Sequence, residues 1–182
     1  MEHPLDQFRY CPRCGTDRFA VNDEKSKYCH ACGFTYYFNP AAATVALIFN
    51  EKGELLVTRR AKEPAKGTLD LPGGFVDMHE TAEEGVIREV KEETGLTVTT
   101  TKFLFSLPNL YMYSGFCVHT VDLFFLCTVT DTQGLHAMDD AAELFFLPLD
   151  KVQPDLFGLG SISKGVAQFL ASPYHAVSES VF

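Results

Sequence analysis

The chain has 182 residues, 46% of them hydrophobic, which is a length for one domain, or one with a small appendage, and enough apolar content for a packed core. A formal charge of −9 argues against a broad phosphate-tracking surface, so nucleic acid is not the expected partner and small anionic ligands would have to be drawn in by metal ions and local Arg or Lys. No apolar run approaches the roughly 18 residues that cross a bilayer, and the start MEHPLDQFRYC lacks a secretory h-region; the expected location is the cytoplasm, with no membrane partner.

In chain order, the first signal is Cys11-Pro-Arg-Cys14-Gly15 followed, after a spacer, by Cys29-His-Ala-Cys32-Gly33. Each C-x-x-C-G makes a tight turn that points two sulfurs at one metal, and four thiolates close a tetrahedral, structural Zn²⁺ site. The segment is too poor in apolar residues to fold alone, so metal binding would supply most of its stability. His30 lies inside the second knuckle and is read as a solvent-facing spacer. Phe34 to Pro40 forms an aromatic connector, and the domain boundary is placed after Phe38, giving a ribbon with its connector over 1–38 and a second domain over 39–182.

The second domain opens with a buried strand, Ala43 to Phe49, a turn at Asn50 to Gly53 and a second strand from Glu54 to Arg60, together predicting a hairpin. A loop with Lys62 and Lys66 leads to Pro72-Gly73-Gly74. From Thr81 to Thr94 the spacing of Ala82, Val86 and Val90 predicts a helix stopped by Gly95. Glu89, Glu92 and Glu93 fall along one edge of it, where like charges repel and a counter-charge is needed. Hard divalent cations, Mg²⁺ or Mn²⁺, suit such oxygens and keep positions open for substrate phosphates. Gly85, on the same edge, costs about 1 kcal/mol of helix propensity and is read as leaving room for a bulky ligand.

Beyond the helix, Thr97 to Phe105 reads as a strand, Ser106 to Gly115 as an aromatic loop, and Cys117 to Thr130 as a long core strand. Cys117 and Cys127 read as buried thiols without chemistry. Tyr111 and Tyr113 are candidates for stacking on a base. Asp131 to Glu143 is polar and acidic, Leu144 to Leu149 a last strand, and Ser161 to Ala171 a helix with Ile162, Val166, Phe169 and Leu170 on its apolar side.

From Gly74 through Glu80 to Arg88-Glu-Val-Lys-Glu-Glu-Thr-Gly-Leu96, the chain resembles the signature of the Nudix hydrolases at every fixed position. The resemblance implies an α/β/α sandwich with a mixed sheet, preceded here by the small zinc ribbon. It also implies metal-assisted attack of water on the pyrophosphate of a nucleoside diphosphate linked to another group, X. In that family Glu89, Glu92 and Glu93 would be the catalytic metal ligands together with the Gly73 carbonyl, one of the glutamates or a later loop acid (Asp139, Asp140 or Glu143) serving as base. Glu80 and Arg88 would pair to hold loop and helix together, and Arg59 or Arg60 would contact phosphate. A zinc ribbon ahead of such a domain resembles the NADH pyrophosphatases. The downstream Ser-Gln-Pro-Trp-Pro-Phe-Pro-Gln-Ser motif of that subfamily, however, is replaced by Ser106-Leu-Pro-Asn-Leu-Tyr-Met-Tyr-Ser114. The expected substrate is a dinucleotide or ADP-ribose type, such as NADH, NAD, ADP-ribose or FAD. A nucleoside triphosphate pyrophosphatase and a non-catalytic nucleotide-sensing or zinc-ribbon binding module are the alternatives, and relatives of this kind are commonly homodimers.

Overall fold

A computed structural model describes residues 3–132, 135 and 141–173. The chain divides after Pro40 into two compact units. The first carries three antiparallel strands, β1 (Phe19–Asp23), β2 (Ser26–Cys29) and β3 (Thr35–Tyr37), in the order β1-β2-β3. Cys11, Phe19 and Cys29 form its small buried centre, with Cys32 and Phe34 packed against it. Buried Lys27 lays its ammonium 5.3 Å from the centre of the Phe19 ring and donates to the Phe8 carbonyl at 2.7 Å. The expected aromatic connector is therefore partly ribbon: Thr35 and Tyr36 pair with Tyr28 and Lys27, as β-branched and aromatic residues favour an extended edge.

In the second unit, β4 (Ala41–Ile48) runs parallel to β8 (Phe116–Val129), and β7 (Val98–Tyr113) is antiparallel to β8, making a mixed sheet ordered β4-β8-β7. A second, antiparallel sheet is ordered β6-β5-β9 from Leu69–Asp70, Leu55–Arg60 and Ala141–Leu147. The helices are α1 (Ala82–Thr94) and α2 (Gly160–Ala171). Strand periodicity divides the core in two. Val45, Leu47, Leu55, Val57 and Phe124 pack with Ile162, Val166 and Phe169 of α2. Their chain neighbours Ala46, Ile48, Leu56 and Phe125 pack with Val86 and Val90 of α1. Strands buried on both faces between two helices make the α/β/α arrangement. Among the described residues, no helix is long and apolar enough to cross a membrane.

Two sequence expectations are corrected. The hairpin of β4 and β5 reduces to a single bridge, Phe49 to Leu55, because all eight residues of β4 pair with β8 while β5 pairs with β6 and β9. The aromatic loop Ser106 to Gly115 is strand, paired with β8 up to Tyr113, and only Ser114 and Gly115 turn, both with positive φ. The Ser-Leu-Pro-Asn-Leu-Tyr-Met-Tyr run has the period of a strand, and Pro108 is tolerated because β7 is an edge. Smaller shifts move β9 three residues earlier at its start and two at its end than expected, and leave Cys117 half-buried. Cys127 is buried as expected, and burial pushes its thiol up to about 12.

Gly165 is where α2 meets the sheet most closely: a Cβ there would lie 2.3 Å from the Phe124 ring, itself stacked on Phe105. Gly165→Ala is expected to lower stability by about 1–3 kcal/mol through overpacking. Urea unfolding measures this, and the activity of the folded fraction should stay unchanged.

Candidate active site and metal centres

α1 begins in a capping box, in which the Thr81 side chain accepts from the Glu84 N–H and the Glu84 side chain accepts from the Thr81 N–H. It ends at Gly95 in the left-handed region. Burial of Val86 and Val90 sets its rotation, leaving Glu89 and Glu93 beside the buried stripe and Arg88 and Glu92 further round toward solvent. Gly85 does not open space for a ligand as expected. A Cβ there would sit 3.1 Å from the Glu80 carboxylate and 3.5 Å from Val76, so the glycine lets the preceding loop close onto the helix.

That loop is tied down by Arg88. Its guanidinium donates to both Glu80 oxygens at 2.7 and 3.2 Å, to Glu89 at 2.8 Å, to Glu92 at 3.0 Å and to the Phe75 carbonyl at 3.0 Å. Glu80 also accepts from the Asp77 N–H at 2.6 Å. The Arg88 donors, followed by the Asp77 N–H, hold the Glu80 carboxyl below its ordinary value of 4.5. Arg88 itself is held more firmly protonated than usual, its Glu80 hydrogen bond outweighing desolvation. Glu89 is different: burial pushes its carboxyl up, and Arg88 offsets this only in part.

The Pro72-Gly73-Gly74 turn meets the helix at these acids. Thr44 and Ala46 of β4 donate at 2.8 Å to the Gly74 and Pro72 carbonyls. A Cβ at Gly73, whose φ is +148°, would fall 2.1 Å from the Thr44 carbonyl oxygen; at Gly74 it would fall 2.6 Å from the Glu89 carboxylate. Gly73 is therefore required by backbone contact, and at Gly74 a side chain would force the Glu89 carboxylate aside. The Gly73 N–H donates to Glu93 at 3.0 Å. Its carbonyl takes no hydrogen bond among the described residues and so is free to act as an oxygen ligand.

Gly73, Glu89 and Glu93 line a cavity of about 670 Å³. Glu92, with a side chain 56% exposed, is not among its lining residues. Of the expected substrate contacts, Arg60, Tyr111 and Tyr113 line the cavity. The tyrosine rings lie 6.4 Å apart and 18° from parallel, with Phe75 edge-on to Tyr111 at 6.2 Å. Arg60 donates to Asp70 and to the Pro64 carbonyl. Arg59 is held outside the cavity lining by Glu143 at 3.0 Å and the Gly67 carbonyl at 3.1 Å. Glu143, so engaged, also lies outside the lining, and Asp139 and Asp140 fall outside the described residues. The sequence reading missed two buried acids of this cavity, Asp70 and Asp122. Their signal was a single acid inside an apolar run, Leu69-Asp-Leu71 and Val121-Asp-Leu-Phe-Phe125, where an unpaired charge is costly. Burial pushes the Asp70 carboxyl up, against the opposing pull of Arg60.

In the first unit, the sulfurs of Cys11, Cys14, Cys29 and Cys32 lie within 4.8 Å of one another, with Cys11 to Cys32 at 3.8 Å and Cys14 to Cys29 at 3.7 Å. A disulfide needs about 2.05 Å. Zinc–sulfur bonds of about 2.3 Å place tetrahedral thiolates about 3.8 Å apart, so these residues can hold Zn²⁺. His30 is exposed, its ring against Tyr28, outside the cluster.

The Glu80–Arg88 pair carries a pH signature. The folded carboxyl is depressed, so its stabilising contribution is complete above the unfolded value of 4.5 and is lost as pH falls through the lower folded value. Wild type should be more stable than Glu80→Gln at pH 7, and the gap should close below pH 4.5 in urea unfolding series.

A family model described as NUDIX domain matches residues 39–166. The ADP-ribose pyrophosphatase of Methanocaldococcus jannaschii is 36% identical over 121 residues, 65% of this chain and 68% of that protein. The NAD-capped RNA hydrolase NudC of Stutzerimonas stutzeri is 30% identical over 102 residues, 56% of this chain but only 36% of that protein's length. In fold, the chain is similar to a NUDIX hydrolase from Nitrosomonas europaea, with a TM-score of 0.71 at 18% identity over 92% of this chain and 93% of that one. The glycine turn and acidic helix just described lie inside the matched span, and the chain belongs to the Nudix hydrolase family.

Proposed function

We propose that this chain hydrolyses the pyrophosphate bond of a nucleoside diphosphate linked to X, with ADP-ribose and dinucleotides such as NADH, NAD and FAD as the leading substrates. The observation that carries this reading is that Glu89, Glu93 and Gly73 share one cavity with the Tyr111–Tyr113 aromatic shelf and Arg60. One end offers oxygen ligands and the other a surface on which a base can stack. The names of the M. jannaschii and S. stutzeri relatives support the same class.

In this reading Glu89, Glu92, Glu93 and the Gly73 carbonyl hold Mg²⁺ or Mn²⁺, which when bound neutralises pyrophosphate charge and lowers the pKa of water. One of the glutamates takes the proton of the attacking water. Arg88 and Glu80 are positioning residues, fixing the loop and the carboxylates. The shelf orients the substrate, and Arg60, paired to Asp70, presents its remaining donors to the cavity. Arg59, held by Glu143, is a phosphate contact only if that pair opens. The four cysteines hold a structural Zn²⁺, and their use as metal ligands rather than disulfides suits the cytoplasm.

A hydrolysis assay with Mg²⁺ or Mn²⁺ across ADP-ribose, NADH, NAD, FAD and ATP tests the reading. Glu93→Gln is expected to lower kcat by at least about 100-fold with an unchanged circular dichroism spectrum. Near-normal turnover in that variant, or none in the wild type on any of these compounds, would overturn it. For the ribbon, Cys29→Ser should abolish the bound zinc found by elemental analysis and lower the melting temperature, with Mg²⁺ supplied throughout.

A further inference from the structure

Thr120 and Asp122 of β8 point to the same face of the mixed sheet, being two residues apart. Asp122 lies opposite Ala43 of β4 and Leu107 of β7, and Thr120 lies opposite Asn109. Asn109, Tyr111 and Tyr113 continue that face along β7, and all of these except Leu107 line the cavity. Asp122 is 4% exposed. Its two oxygens accept from the hydroxyls of Thr120, at 2.6 Å, and of Ser161 in the first turn of α2.

Among the described residues Asp122 enters no ion pair, and Arg60, one of two cations lining the cavity, is committed to Asp70. A buried carboxylate held only by neutral hydroxyls is costly, and a core needing only shape would use an apolar residue there. The hydroxyl protons are spent on Asp122. What Thr120, Ser161 and Asp122 have left are acceptor lone pairs. A phosphate, negative and acceptor-only, is repelled from such a wall, whereas a group bearing O–H or N–H donors is satisfied by it.

We propose that Asp122 is a specificity-determining residue: it accepts hydrogen bonds from the uncharged, donor-bearing part of the substrate and disfavours phosphate at that position. The proposal rests on the hydrolase reading above. The donors can be the hydroxyls of X or the amino group of the base, and the two sources are separable.

The experiment compares wild type with Asp122→Asn, and with Thr120→Val should Asp122→Asn fail to fold, on ADP-ribose, inosine diphosphate ribose and ATP, with melting temperatures recorded. A loss of about 10- to 100-fold in kcat/KM, carried by KM, is expected wherever the donor is present. Loss on both ribose compounds but not ATP assigns the donors to X; loss on ADP-ribose and ATP but not the inosine compound assigns them to the base. Equal loss on all three, or none, overturns the proposal, the former marking a merely structural acid. If wild type hydrolyses none of them, calorimetric binding of ADP-ribose is the readout. Binding weakened about 10-fold or more by the substitution supports the subsite while defeating the hydrolase reading, and unchanged or absent binding defeats the subsite as well.

Discussion

The Arg88 guanidinium is the interaction on which the acidic edge of α1 depends. Three glutamates and one backbone carbonyl converge on its donors, joining the Phe75–Glu80 segment to the helix. Without it, Glu89 and Glu92 would repel across one turn and the loop would lose its tie to α1. Arginine suits this place because a planar fork reaches several acceptors in fixed directions, which an ammonium cannot do. In the reading proposed here, Glu89 and Glu92 would be neutralised in part by the divalent metal they would hold, while Glu80 keeps Arg88 in place.

The glycine turn is the second constraint. Gly73 and Gly74 sit between β4 and α1 so closely that any side chain would strike the Thr44 carbonyl or the Glu89 carboxylate. The sheet thereby fixes the distance between a backbone oxygen and the helix acids. That geometry depends in turn on β4 being clamped along its full length to β8, with one set of side chains packed toward α2 and the other toward α1. Strands contribute more of the cavity wall than loops or helices do. Even the aromatic shelf stands on β7, where the ladder to β8, continuous from Phe105 to Tyr113, holds Tyr111 and Tyr113 at strand spacing.

The spacing of the cysteines, the capped helix and the edge of glutamates were legible because each is written in neighbouring residues: a knuckle, a capping box and a helical period act over a few positions. The Glu80–Arg88 contact was accessible only through the family resemblance, since two helical turns span about 11 Å and the pair meets because Glu80 lies in the loop folded back onto α1. Gly85 was misread because its neighbours are Glu80 and Val76, brought near by the path of the loop. The aromatic loop differs from expectation because Pro108, which removes a ladder donor, is tolerated on an edge strand.

The sequence by itself determined the local chemistry: which residues can ligate, which segment is helix, and which family the pattern belongs to. Only the tertiary structure decided which of two adjacent arginines faces the cavity, that β4 and β5 part company after one bridge, and that Asp70 and Asp122 are buried in its wall. The reason is physical. A carboxylate's role depends on who surrounds it, and the hydroxyls around Asp122 come from its own strand and from a helix 39 residues further along the chain, a distance over which no local pattern carries information.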